Sequence, residues 1–311
     1  YKLLINQFHD IIPGSSINMV YQTTHKEYEE IHRGCDDLIT QSIKILFEED
    51  ENAFVLMNTL SYQWQGMVTL PESFSGHTIL NDVDEALKLQ KIGNKTKAFV
   101  SLKPLSFTTF RKGKQCNTEE LIDNDYILEN DLIRYEFSEQ GQMISAFDKE
   151  IEKEVMDGIG NILSLYEDRP NNWDAWDIDF FYRDAIIETA VVSKKPLALA
   201  SDMFKQIEFN YKIGNSTIVQ KIALQPKSKR VDFQTKVDWK EKHKMLRVHF
   251  PITVMSEQAT FDIQYGYVKR NSHRNTSWDK AKFEVVGHKY ADLSDHDYGV
   301  ALLNDCKYGY M

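Results

Sequence analysis

The hydrophobic period of this chain changes once, after Asn52, and no other feature narrows its possible folds as much. Ahead of that point Ile17, Val20, Tyr21, Tyr28, Ile31, Cys35, Leu38, Ile39 and Leu46 recur at three- and four-residue steps and their sums. Apolar residues so spaced fall on one face of an α-helix, so a long amphipathic helix is expected. Acidic residues and Lys fill its other face, and the run Glu48-Glu49-Asp50-Glu51 ends it. Before the helix, Pro13-Gly14-Ser15-Ser16 interrupts the chain, with Ser15 or Ser16 placed to cap the helix. Leu3, Leu4, Ile5 and Phe8 form a short apolar patch expected to end an earlier helix.

Beyond Asn52 the apolar runs are short. Phe54–Met57, Met67–Leu70, Thr78–Leu80 and Phe99–Leu102 stand between polar turns and read as strands. Lys112 to Asp125 is polar and linker-like. From Tyr126 onward the pattern is that of a large antiparallel β domain. Leu132–Phe137, Glu139-Gln140-Gly141-Gln142 and Met143–Phe147 form one hairpin signature. Ile207–Lys212, Gly214-Asn215 and Thr217–Leu224 form another. Val231–Val237 and Leu246–Phe250 alternate with period two, as sandwich strands do. The expected fold is mainly β with an N-terminal helical segment, organised as residues 1–51, a small β domain at 52–111 and a large β domain at 112–311. No internal repeat or low-complexity segment interrupts this order.

Charge and cysteines narrow the function. The formal net charge is −10, from 47 acidic and 37 basic residues, which disfavours a nucleic-acid partner. Cys35, Cys116 and Cys306 are odd in number and far apart, so no disulfide framework is expected and a reducing, cytoplasmic setting is. No apolar run is long enough to span a bilayer, and no membrane partner is expected. The chain starts inside an apolar segment without Met and stops in the strand-like Tyr308-Gly309-Tyr310-Met311, so it is expected to be a piece of a longer protein.

Four segments hold more chemistry than packing needs. His9-Asp10 precedes the Pro13-Gly14 break; neutral imidazole is a good ligand for a divalent ion such as Zn²⁺, and a carboxylate beside it can take a substrate hydroxyl. On its own the dipeptide reads more readily as a surface or capping histidine. Asn171-Asn172-Trp173-Asp174-Ala175-Trp176-Asp177 pairs flat indoles with hydroxyl-binding groups, which suits a sugar; the alternative is an acidic loop pinned by two buried Trp. Tyr267 to Asp279, with His273 and Arg274, is polar and basic and suits closure over a substrate or a solvated connection. Gly287 to Asp295 reads as a structural turn. Sequons at Asn94, Asn215 and Asn275 carry meaning only in a secretory setting, and the sequence supplies none.

Together these segments resemble the α-mannosidases of glycoside hydrolase family 38. The resemblance runs through Asn6-Gln7-Phe8-His9-Asp10-Ile11-Ile12-Pro13-Gly14-Ser15-Ser16-Ile17, then Asn172 to Asp177. It continues through Asn275 to Asp279, Phe283-Glu284-Val285, His288 to Ser294 and Tyr298 to Asp305, in the family's order, and is strongest to the cytosolic and bacterial branch. It implies a chain that starts near the end of a catalytic domain, keeps part of a helix bundle and a small β domain, and ends in a mutarotase-like β super-sandwich.

The resemblance also implies a retaining mechanism and a bound divalent ion, Zn²⁺ above all. His9 would be a metal ligand. Asp10, Trp173, Asp174, Trp176, Asp177, His273 and Arg274 would bind substrate, an α-mannoside glycan or oligosaccharide. The family's nucleophile, acid/base carboxylate and remaining metal ligands lie upstream of Tyr1, so no catalytic residue is expected in this chain. Alone it is expected to be inactive and to hold the ion weakly or not at all, and a homo-oligomer is open to the longer protein. Rival readings are a mannosylglycerate-type hydrolase of the same family, a non-catalytic carbohydrate-binding β module and a structural partner for an upstream domain.

Overall fold

Two helices open the structure, α1 (Lys2–Ile5) and α2 (Asn18–Leu46). The structure is a computed structural model that describes residues 1–117, 122–123, 125–174, 176–200 and 204–311. At 29 residues α2 is about 43 Å long. Its amphipathic pattern is as expected, yet Thr24 is its only buried residue, and Met19, Leu38, Ile39, Ile43 and Leu46 are exposed. The cap differs from expectation. Ile17 occupies the N-cap position without a side-chain bond, and the Ser15 and Ser16 hydroxyls donate instead to the Asp10 carbonyl, at 3.4 and 2.8 Å. A hydroxyl that satisfies a loop carbonyl is not available to the helix.

Asn6 ties the two helices together. It is buried, and its Nδ2 donates to Glu27 Oε2 at 2.7 Å and to the Lys2 carbonyl at 3.0 Å. Lys2 and Glu30 add an exposed ion pair.

Six strands follow: β1 (Ala53–Asn58), β2 (Trp64–Thr69), β3 (His77–Leu80), β4 (Leu89–Ile92), β5 (Lys95–Leu102) and β6 (Ser106–Gln115). They form two three-stranded sheets, ordered β1-β6-β3 and β2-β5-β4. Ile79, Ala98, Val100, Leu102 and Phe110 pack between them, with Phe54 stacked on Phe110 at 5.2 Å. Strand β6 passes residue 111 and takes in Lys112 to Gln115, which sequence reading gave to a linker. That stretch is polar because its side chains are half-exposed or exposed, while its backbone pairs Lys112 with Ile79 and Gln115 with His77.

Contacts along the chain separate two units, Tyr1–Thr118 with Pro170–Asp177, and Glu119–Arg169 with Ile178–Met311. The second is built of antiparallel sheets. Its largest orders Val231–Asp238, Ser216–Leu224, Lys205–Ile213, Leu197–Ala200 and Ile122–Asp123, with Val191–Val192 paired to Lys205–Ile213. The hairpin between Lys205–Ile213 and Ser216–Leu224 closes on Gly214-Asn215, in register Ile213 to Ser216. Gly214 has φ +55°, which suits the first loop position of a type II′ turn. Strands Ile133–Phe137 and Met143–Asp148 pair as the second expected hairpin, with a bulge between Met143 and Ser145. Phe209, Ile207, Ile218, Ile222 and Leu165 lie in one core with Leu128 and Phe137.

A three-stranded sheet orders Ile186–Thr189, Ile162–Glu167 and Lys244–His249, and a four-stranded one orders Gly266–Asn271, Gln258–Ile263, Tyr290–Ser294 and Gly299–Leu303. The segment Gly287 to Asp295, read from sequence as a turn, thus holds a strand. None of the helices among the described residues is long and apolar enough to cross a membrane.

Candidate functional site

His9 and Asp10 sit in the turn between α1 and α2. The backbone of that turn is fixed by Tyr21, one turn into α2. Its phenol accepts the Ser16 N–H at 3.0 Å and donates to the Asp10 and Ile11 carbonyls, both at 3.3 Å. The His9 side chain is exposed and that of Asp10 half-buried. His9 Nε2 stands 3.8 Å from Asp10 Oδ1, and the imidazole lies against the Phe8 ring at 4.3 Å.

Imidazole and carboxylate are the right donors for Zn²⁺, but a zinc site takes three or four protein ligands. Among the described residues there is no group of three or more His, Cys, Asp or Glu side chains placed to hold an ion. His9 and Asp10 therefore have the chemistry of a metal site without forming one by themselves.

The Trp segment is the second cluster. The Trp173 carbonyl accepts the Trp176 N–H at 2.7 Å and the Asp177 N–H at 2.9 Å, making a tight turn. Trp173 has φ +59°, a left-handed backbone unusual for a bulky residue and worth a functional question. Both indoles are turned outward: Trp173 is 77% exposed and Trp176 64%. The alternative of an acidic loop pinned by two buried Trp is thereby removed. Two exposed indoles on one turn, with Asp174 and Asp177 also exposed, offer flat apolar faces beside hydrogen-bonding groups.

His273 and Arg274 lie in the second unit, in the exposed loop between strand Gly266–Asn271 and the short helix α3 (Ser277–Ala281). Asp279 organises this loop. Its carboxylate accepts from Thr276 Oγ1 at 2.5 Å and Asn271 Nδ2 at 3.0 Å, and its N–H donates back to Thr276 Oγ1 at 3.1 Å. His273 Nδ1 is 3.8 Å from Asp279 Oδ2. The Thr276 and Asn271 hydrogen bonds hold the Asp279 carboxyl below its usual range, with His273 adding a smaller pull. The structure brings His9 to Asp10, Trp173 to Trp176 and Asp177, and His273 to Asp279.

One cluster escaped sequence reasoning. Tyr182 is buried within the 3₁₀ turn Phe180–Asp184, and its phenol donates to Glu284 Oε1. The same oxygen accepts from Arg247 Nη1 at 2.7 Å. Burial, with the Glu284 carboxylate next in weight, pushes the Tyr182 phenol up to about 12. These residues lie 37 to 102 positions from Glu284 in the chain, and such separations leave no local pattern to read.

The family model "Glycosyl hydrolases family 38 C-terminal domain" matches residues 128–311, and "Alpha mannosidase middle domain" matches residues 1–46. The chain is 33% identical to the human protein "Alpha-mannosidase 2C1" and 32% identical to "Alpha-mannosidase G" of Dictyostelium discoideum. Each match covers 99% of this chain, and 29% and 33% of those relatives, so the chain spans about a third of their length or less. In fold it is similar to an alpha-mannosidase from Enterococcus faecalis V583, with a TM-score of 0.74 at 16% identity, covering 99% of this chain and 44% of that one.

Proposed function

The chain belongs to family 38 of the glycosyl hydrolases, and from that premise we propose that it is part of a retaining, metal-dependent α-mannosidase that removes terminal α-linked mannose from glycans or oligosaccharides. The observation that carries the substrate assignment is the exposed Trp173–Trp176 turn. Sugar rings present flat C–H faces, and an indole free of core packing is the side chain that stacks on them; Asp174 and Asp177 then serve the hydroxyls.

His9 supplies one ligand to a divalent ion, of which Zn²⁺ fits the imidazole best, and residues outside this chain complete the set. Such an ion, when bound, supplies a template for substrate hydroxyls. Asp10 accepts from those hydroxyls, its position held by the Tyr21 and Ser16 bonds to its carbonyl. His273 and Arg274 contribute donors from their loop. The attacking carboxylate and the acid/base carboxylate of a retaining glycosidase belong to the longer protein, so the 311 residues alone do not turn over. The exposed face of α2 then packs on further helices of the same protein, as in a bundle. Three free cysteines agree with a cytoplasmic setting.

The stereochemistry of the product tests the reaction class. Proton NMR of fresh product from the longer protein on an aryl α-mannoside is expected to show the α-anomer of mannose first. First appearance of the β-anomer, or cleavage of mannosylglycerate with no cleavage of mannosides, overturns the reading.

A further inference from the structure

The Phe8 carbonyl accepts the Ile11 N–H at 2.9 Å and the Ile12 N–H at 3.1 Å, so His9 and Asp10 are the central residues of a closed turn. The way this turn faces depends on its two ends, and α2 grips both. The downstream grip is the Tyr21 phenol on the Asp10 and Ile11 carbonyls. The upstream grip is Glu27, whose Oε2 accepts from Asn6 Nδ2 at 2.7 Å.

Asn6 is placed to pass that grip on. It caps the C-terminus of α1 and is buried, and its side chain and its own N–H both donate to the Lys2 carbonyl, at 3.0 and 3.1 Å. Its amide is thus fastened to α1 and α2 at once. Between Asn6 and the turn the backbone stays bonded: the Gln7 N–H donates to the Leu4 carbonyl at 3.3 Å and the Phe8 N–H to the Ile5 carbonyl at 3.1 Å. A shift of Asn6 is therefore carried to His9, three residues on.

Tyr21, Thr24 and Glu27 follow one another at three-residue steps along one side of α2, Thr24 buried and the other two half-buried. A helix side that needs only to pack is apolar; this one is polar. What such groups add over apolar packing is direction, because a hydrogen bond from a buried amide to a carboxylate fixes rotation as well as distance. A metal ion accepts its ligands only within about 0.2 Å of their proper distance, so a ligand on a short turn needs the turn held from both sides. We propose that Asn6 and Glu27 are positioning residues for His9: their bond sets the upstream end of the turn, and with it the direction from which the imidazole meets the ion. This rests on the reading of His9 as a metal ligand. Neither residue touches the ion or the substrate.

The Zn²⁺ affinity of the longer protein, measured by competition with a chromophoric chelator, tests the proposal together with the unfolding midpoint of the metal-free protein. The variants are His9→Ala, Glu27→Ala and Glu27→Gln; the half-buried Glu27 is changed rather than the buried Asn6, so that folding is kept. Glu27→Ala removes the acceptor and is expected to weaken Zn²⁺ binding about three- to tenfold, with the metal-free midpoint little changed. Glu27→Gln keeps an oxygen that accepts from Asn6 Nδ2 and is expected to stay within about twofold of the parent. A lower metal-free midpoint in Glu27→Ala with Zn²⁺ affinity unchanged marks the bond as structural only and overturns the positioning role. So does Glu27→Gln binding as weakly as Glu27→Ala. His9→Ala separates the two claims. If it weakens Zn²⁺ binding while Glu27→Ala does not, the positioning role alone falls; if it leaves the affinity unchanged, the metal-ligand reading falls and the positioning role with it.

Discussion

The Trp176 amide donates to the Trp173 carbonyl at 2.7 Å, and this bond turns the chain so that both indoles face outward. The geometry has a cost, since Trp173 takes a left-handed backbone that disfavours a bulky residue by about 1 kcal/mol or more. Replacing Trp173 with Gly removes that cost and no core packing. Trp173→Gly is therefore expected to leave the thermal midpoint of the chain unchanged or slightly raised, while weakening binding of mannose oligomers by the longer protein at least about tenfold. Calorimetric unfolding paired with titration of the sugar checks both halves. A large fall in the midpoint would mean that the indole packs after all.

Gly141 has no room for a side chain. Its φ is +72°, and a Cβ there would stand 1.9 Å from Tyr211 Oη and 2.8 Å from the adjoining ring carbon. Gly141→Ala is expected to lower stability by about 2–4 kcal/mol in urea unfolding, through backbone strain and overpacking together. Adding Tyr211→Phe removes the nearest atom but not the ring, so it recovers only part of the loss.

Asp148 is 2% exposed, and Lys229 Nζ donates to both of its oxygens at 2.8 and 2.7 Å. Lys229→Met leaves the buried Asp148 carboxylate with the Glu150 N–H at 3.1 Å but no counter-charge, and because Lys229 is itself partly exposed the change is expected to cost about 2 kcal/mol. Asp148→Asn in that background buries a neutral amide instead and should restore part of it. Equal stability of Lys229→Met and the parent chain would show that the Glu150 N–H alone satisfies the carboxylate.

Much of the fold was legible because it rests on period. The helical spacing from Ile17 to Leu46 and the alternation in Val231–Val237 each depend on neighbours in sequence, and Gly214-Asn215 announces its own turn. The end of strand β6 is not legible in sequence because Lys112 to Gln115 are polar, although pairing with β3 involves only the backbone. His9 and Trp173 were legible as residue types in a motif. Their exposure was not, since sequence does not say which way a loop turns. Tyr182, Arg247 and Glu284 meet only through tertiary folding, and nothing near any of them marks the other two.

The Asp279 loop is acid-sensitive. Thr276 and Asn271 hold this carboxyl below its ordinary value in the folded chain, so its contribution is fully present above the unfolded value of about 3.9 and is lost as pH falls through the lower folded value. The loop carrying His273 and Arg274 is expected to stay ordered at neutral pH and to loosen only below about pH 4. The amide shift of Asp279, followed by NMR from pH 7 downward, reads this directly, and Asp279→Asn should abolish the acid step. Loosening well above pH 4 would contradict the assignment of the step to Asp279.

Hydrolysis of an aryl α-mannoside by the longer protein, by its His9→Ala variant and by residues 1–311 alone is the most direct test that this chain is one edge of a mannosidase site. The longer protein is expected to hydrolyse the substrate with Zn²⁺ or another divalent ion present. His9→Ala is expected to lose most of that rate, and residues 1–311 to show none. A longer protein inactive with every divalent ion tried, full activity in His9→Ala, or turnover by residues 1–311 alone would contradict the account.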